Sequence, residues 1–270
     1  MAAGHKTAPR RTARHSVSNL KNLYHRWRSA RHPLSNSTWA KALRTSSYAR
    51  ALPTNDQTRL RELTTQILRL KTFEGASGLN VSESMRARIA LHAALPVLNL
   101  GLDFYTDWRS FIIYPGDFRV QEEYMDMHGV VHREIMDLCG QSLSRGPIVL
   151  SWEALREEDE TPADHDLVIH ECAHKLDMLN GEANGFPLLH EDMNVRAWAG
   201  DFHAAYRQLC SKTDTPGSHI DPYAAEDPAE FFAVMSETFF TAPQLVCQEH
   251  PAVYKQLQHF YRQDPDSIMK

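Results

Sequence analysis

Residues 164–177 read Asp-His-Asp-Leu-Val-Ile-His-Glu-Cys-Ala-His-Lys-Leu-Asp, and this stretch restricts the fold more than any other. Leu167, Val168, Ile169, Ala173 and Leu176, continued by Met178 and Leu179, are too dense for a solvent-facing helix. A helix this apolar is buried, and burial obliges its polar members, His170, Glu171 and His174, to find partners. Four residues make slightly more than one helical turn, so both imidazoles project from one face. Thr161 as amino-terminal cap, Pro162 at the first helical position, Asp164 three residues after the cap and Gly181 as the stop predict a helix over roughly residues 162–180. Any fold must bury that helix and bring something to it that satisfies two histidines.

His170-Glu171-x-x-His174 is the HExxH pattern of zinc metallohydrolases. Its spacing lets two imidazole nitrogens reach one zinc at roughly 2.0–2.1 Å. Glu171 then stands where a general base takes a proton from the attacking water. The competing reading is a helix with two unrelated histidines, in a chain that has 15. A catalytic zinc wants a third protein ligand, and Glu182, Asp192, His203, His219, Glu226, Glu230 and Glu237 are the candidates. A third histidine at position 180 would make the metzincin pattern, but Asn180 stands there.

The segment opened by Asp227 and Pro228 is the better source. It carries Glu230 and Glu237, seven apart and on one face, among Phe231, Phe232, Val234, Met235, Phe239 and Phe240. A carboxylate in such surroundings needs a cation, which favours Glu230 as the third ligand over a salt-bridged carboxylate. Glu237, nearly two turns on, could hold a ligand histidine by its other nitrogen or lie in an edge ion pair. Tyr223 precedes Glu230 by seven residues; its phenol either donates to a developing oxyanion or fills the core, and spacing does not choose.

The net charge of −5 hides an asymmetry: residues 1–50 hold 11 Lys and Arg and no acid, whereas the other 220 hold 18 bases against 34 acids. This divides the chain into a basic amino-terminal arm, 1–50, partly disordered, and a domain over 51–270. The arm reads most simply as a solvated tail plus a basic helix around Leu20, Leu23, Tyr24 and Trp27 that docks on the acidic body. A transit peptide or a nucleic-acid-binding arm is the alternative. No apolar run of 18 residues suits a membrane span, and no apolar leader suits secretion. Cys139, Cys172, Cys210 and Cys247 are scattered without a CxxC, as expected of reduced thiols in a cytoplasmic protein.

Helical spacing predicts further helices over 39–52, after Pro53, over 85–95, 191–211, from Pro228 onward and over 253–262. His92 falls within one of them and reads as a hydrogen-bonded core residue. The segment from Tyr105 to Tyr114, Phe118-Arg119-Val120, the hairpin-like 127–134 and Ile148 to Trp152 read as strands. The sum is an α+β fold, mostly helical with a small mixed sheet of three to five strands.

HECAHKLD, YAAEDPAEFFAVMSETFF, LPVLNLG, IIYPGDF and GPIVLSW together resemble the Mlc titration factor A family of bacterial zinc-dependent peptidases, from about Leu52 to Pro265. The resemblance implies a zincin-type, gluzincin-like core similar to that of anthrax lethal factor. It implies one Zn2+ per chain held by His170, His174 and Glu230, with Glu171 as general base and Tyr223 as transition-state donor. Two departures stand out. Gly140-Gln141-Ser142 replaces the family's Gly-Glu-Ser, and the basic first 50 residues match poorly.

The expected function is hydrolysis of peptide bonds, aminopeptidase-like, with Glu182, Asp192 or Glu226 available to hold the substrate's free amine. The resemblance also implies regulation through an Mlc-type, glucose-responsive transcriptional repressor. The alternative is a non-catalytic module that sequesters the repressor, with zinc mainly structural. Membrane association and direct nucleic-acid binding are not expected.

Overall fold

The computed structural model describes residues 34–125, 131–138, 140–142, 146–160, 165–212 and 219–270. The helix expected around Leu20–Trp27, the disordered start, and the capping residues Thr161, Pro162 and Asp164 lie outside them.

The described chain opens with helices α1 (Asn36–Leu43) and α2 (Ser47–Ala51), where one helix over 39–52 is expected. Ser46 divides them: its side chain accepts the Ala49 N–H and starts a new helix, while Thr45 Oγ1 donates to the Ala42 carbonyl. Trp39, Ala42, Tyr48 and Ala49 are buried in the core, so this part of the basic segment packs with the body. Helix α3 (Thr54–Leu70) follows and runs into strand β1 (Thr72–Gly75), which is not among the strands expected from sequence. Helix α4 (Glu83–Ala94) packs against α1 and α3.

Strand β2 (Ser110–Tyr114) is shorter than expected, because Leu102–Tyr105 forms a 3-10 turn. Lys71 fixes that turn: its ammonium donates to the Tyr105 and Trp108 carbonyls and lies 3.7 Å from the Trp108 ring centre. Strands β3 (Phe118–Met125) and β4 (Val131–Leu138) make a separate antiparallel ribbon, longer than the short strand expected at 118–120. Strands β5 (Gly140–Ser142) and β6 (Ile148–Ser151) complete a four-stranded sheet of order β1-β2-β6-β5. β1, β2 and β6 are parallel, with Phe73 opposite Phe111 and Phe111 opposite Ile148; β5 runs antiparallel to β6 at the edge. The sheet is therefore small and mixed, and Phe111, Ile113, Ile148 and Leu150 turn into the core.

Trp152 opens helix α5 (Trp152–Glu160) instead of ending a strand. Helix α6 (Leu167–Asp177) carries the HExxH residues, and α7 (Val195–Lys212), α8 (Pro228–Thr241), α9 (Pro243–Glu249), α10 (Pro251–Tyr261) and α11 (Pro265–Met269) complete the chain. α6 packs chiefly along α8 and is flanked by α4, β5 and β6. An aromatic cluster supports α8: Trp198 stacks on Phe202 at 4.2 Å, Phe231, Phe232 and Phe260 pack around them, and Tyr261 links Phe260 to Phe239 and Phe240. No described helix is long and apolar enough to cross a membrane. Cys172, Cys210 and Cys247 form no disulfide, and Cys139 lies outside the described residues.

Candidate metal centre

The motif helix starts later than the sequence suggested. Asp166, not Thr161, is its cap: it has extended backbone, its side chain accepts the Ile169 N–H at 3.0 Å, and helical bonding begins at Leu167. The helix ends at Asp177, and a 3-10 turn, Met178–Asn180, carries the chain to Gly181. His170 and His174 project from one face, their Nε2 atoms 3.2 Å apart.

Glu230 arrives from the first turn of α8. Asp227 caps that helix by accepting the Ala229 and Glu230 N–H groups at 2.6 and 2.9 Å, with Pro228 at the first helical position. This turns the Glu230 carboxylate onto both histidines, Oε2 at 3.1 Å from His170 Nε2 and Oε1 at 3.3 Å from His174 Nε2. His170, His174 and Glu230 form the one group of three potential metal donors among the described residues, all within 4.8 Å.

Donor chemistry tests whether a cation fits. Nδ1 of His170 lies 3.1 Å from Glu237 Oε2 and donates to it, so Nε2 is the nitrogen that would meet a metal. Two imidazole Nε2 atoms and a carboxylate converge on one point, which favours a positive charge there. Four ligands at 2.0–2.1 Å from a tetrahedral ion lie about 3.3 Å from one another, matching these separations. Burial disfavours charge on His170, but its hydrogen bonds to Glu230 and Glu237 outweigh this and push its pKa well above the usual value. Burial would likewise raise Glu230 and Glu237, yet the imidazoles facing them hold each down at about 2. The site thus calls for a cation, and the donor set fits a metal ion.

Glu237 occupies the far side of His170. One oxygen accepts the His170 Nδ1 proton, and the other accepts the Asp166 N–H at 2.5 Å, with His165 Nδ1 at 3.4 Å. Of the two roles open to it from sequence, it is placed for orienting a histidine.

Glu171 is buried beside the histidines, and its Oε2 has no hydrogen-bond partner among the described residues. Burial raises its pKa above the ordinary carboxylate value, against the opposing pull of His170 and His174. Strand β5 runs beside it. Ser142 Oγ donates to the Glu171 carbonyl at 2.8 Å, and a Cβ at Gly140 would stand 2.3 Å from Glu171 Oε1 and 2.6 Å from Leu167 Cδ1. Only glycine lets the edge strand approach this carboxylate so closely. Gly140-Gln141-Ser142, a bare departure from a pattern in the sequence, is therefore the strand that borders Glu171.

Tyr223 is not a core tyrosine. It sits in the 3-10 turn Pro222–Ala225, is 45 % exposed, and its ring centre lies 6.2 Å from that of His170. Partial burial, then the charges of Glu230, Glu226 and Glu171, push its pKa up, so the phenol keeps its proton. Of the other candidates, Glu182, His203, His219 and Glu226 are exposed, and Asp192 pairs with His259 at 3.3 Å.

Two supports escaped the sequence reading. Asp166 also contacts His92 Nδ1, whose Nε2 meets Thr45 Oγ1 at 2.7 Å, so His92 is the hydrogen-bonded core residue expected of it. Asp177, fully buried, accepts the N–H groups of Asn184 and Gly185 at 2.7 Å each. Gly185, at φ 77°, lies so close to Pro228 that a Cβ would stand 2.3 Å from its carbonyl oxygen. Asp177 thereby ties the end of one donor helix to the start of the other. The only signal for it was an acid three residues after His174.

Comparison with known proteins bears on this centre. Mlc titration factor A of Klebsiella pneumoniae is 40% identical over 231 residues, covering 84% of this chain and 86% of that protein. Its counterpart in Serratia proteamaculans is 41% identical over 218 residues (79% and 82%), and that in Escherichia fergusonii 40% over 234 (85% and 87%). The family described as Glucose-regulated metallo-peptidase M90 matches residues 21–262, reaching into the basic segment that the motifs left unmatched. A metal-donor triad on two helices and a match over most of the length agree: this chain belongs to the M90 family of metallo-peptidases.

Proposed function

We propose that the protein is a zinc-dependent peptidase whose metal is held by His170, His174 and Glu230. The observation that carries this reading is the convergence of two imidazole nitrogens and a carboxylate at 3.1–3.3 Å beside a buried carboxylate with one oxygen unpartnered among the described residues. Zinc rather than another ion suits a His-His-Glu set, and when bound it supplies Lewis acidity toward the scissile carbonyl and its attacking water. Glu171 takes the proton of that water and passes it to the departing amine. Tyr223, protonated and exposed over His170, donates to the carbonyl oxygen as negative charge builds there. Glu237 holds the His170 ring through Nδ1.

An extended peptide would lie along the edge of β5 that pairs with no strand among the described residues, meeting backbone groups on the side away from β6. Aminopeptidase specificity requires an acid for the free amine. Glu226, whose charge is felt by Tyr223, is the best placed of the three candidates, whereas Asp192 already has His259. We place the protein in the cytoplasm, as the absence of a disulfide among the described cysteines suggests.

The name of the relatives favours a second activity, binding of an Mlc-type repressor, compatible with the first or replacing it. The test is Glu171→Gln assayed for peptide hydrolysis, metal content and repressor binding. Lost hydrolysis with retained metal supports the peptidase reading, and undiminished hydrolysis overturns it. Repressor binding that survives the substitution separates the two activities.

A further inference from the structure

A recess of about 190 Å3 lies where the α1–α2 turn, α4 and the start of α6 meet, and no metal-donor residue lines it. That volume is several times a water molecule's share of the liquid, ~30 Å3. Its wall is polar and its charges are unevenly matched. Arg88, 4 % exposed at the wall, donates to Glu158 Oε2 at 3.1 Å, and the other Glu158 oxygen accepts the Leu167 N–H at 2.8 Å. Asp166 is taken up by the Ile169 N–H and by His92. Both acids of the wall are therefore engaged. Arg44 and Arg50 border the same recess from the exposed turn and meet no carboxylate among the described residues. Burial, with Asp166 nearby, pushes the Glu158 carboxyl above its ordinary value, against the pull of Arg88, which weakens the negative side of the wall.

We propose that this recess binds a small phosphate-type oxyanion, inorganic phosphate or a phosphate monoester, between Arg44 and Arg50 and above Arg88. Guanidinium forks match tetrahedral oxyanions in shape and charge, whereas Arg44 and Arg50 repel a metal cation and a mostly polar wall offers little to an apolar ligand. The recess also abuts the support of the metal centre. Asp166, on its wall, donates its N–H to Glu237 Oε1, and Glu237 Oε2 holds His170. An anion that orders this wall couples to the metal centre, and the coupling is reciprocal.

The experiment uses metal-loaded full-length protein with inorganic phosphate, against chloride at equal ionic strength. Calorimetry is expected to show saturable one-to-one binding, and the melting temperature to rise by about 3–5 °C at tenfold saturation. Arg44→Gln with Arg50→Gln, both exposed, should weaken phosphate binding at least ~10-fold, the loss of a charge-assisted contact, and leave hydrolysis without phosphate unchanged. Glycerol phosphate binding as well as phosphate identifies a monoester site, and exclusion of glycerol phosphate identifies a free-ion site. No response beyond that of chloride overturns the proposal. So does a double variant that binds phosphate like the unaltered protein, because the anion would then sit elsewhere, on the metal for instance.

Discussion

Gly140→Ala tests the reading of Glu171 without touching a metal donor. The new Cβ would stand 2.3 Å from Glu171 Oε1, 3.0 Å from its Cδ and 2.6 Å from Leu167 Cδ1. A carbon and an oxygen rest near 3.4 Å, so one partner must yield by about 1 Å. The Glu171 carboxylate is the tip of a flexible side chain with one oxygen unbound, and it yields more cheaply than the strand. The fold should therefore survive, with stability lowered by about 1–2 kcal/mol from crowding at Leu167. Displacing the base by that distance costs on the order of 100-fold in rate, or ~2.7 kcal/mol of transition-state stabilisation. Peptide hydrolysis, metal content by elemental analysis and thermal unfolding, measured together on the variant, check this. A variant with full metal content and kcat/KM within about twofold of the original would refute the claim that β5 sets the position of the base.

Other substitutions separate the remaining parts of the centre. Glu171→Gln should lower kcat by roughly 10²–10⁴-fold with metal content unchanged, as loss of a general base does. Glu230→Ala should lower metal occupancy in equilibrium dialysis, and full occupancy would remove Glu230 from the donor set. Tyr223→Phe should lower kcat by ~10²-fold with an unchanged melting temperature, because the side chain is exposed. Buried Lys175 has its pKa pushed down to about 8 by desolvation, below the ordinary lysine value it regains on unfolding. Between pH 8 and 10.5 the unfolded chain thus binds more protons, and this group's share of stability rises with pH. Lys175→Met should remove that rise, so that urea midpoints of variant and original diverge between pH 7.5 and 9.5.

Which features the sequence could reveal follows from the range of the forces involved. The two histidines, Glu171 and the Asp227–Pro228 helix start are local patterns, set by helical spacing and capping within a few residues, and they stand where the sequence put them. Glu230 was singled out because a carboxylate among phenylalanines demands a distant cation, and the fold brings it beside both histidines. The start of the motif helix was misread because Thr161-Pro162 satisfies capping rules as well as Asp166 does. The difference is tertiary: Asp166 also binds His92 and gives its N–H to Glu237. β1 was missed because four residues carry little periodicity, and their strand character comes from pairing with β2. Gly140 and Gly185 matter through what lies opposite them, which no sequence window contains.

The contact between Asp177 and the 184–185 loop, with Gly185 seated against Pro228, braces α6 against α8 from outside the candidate donor group. Two backbone N–H groups held by one buried carboxylate, and a close backbone approach, join the helices without running through His170, His174 or Glu230. The spacing of those three side chains therefore has a support of its own, unlike small zinc modules whose fold depends on the ion.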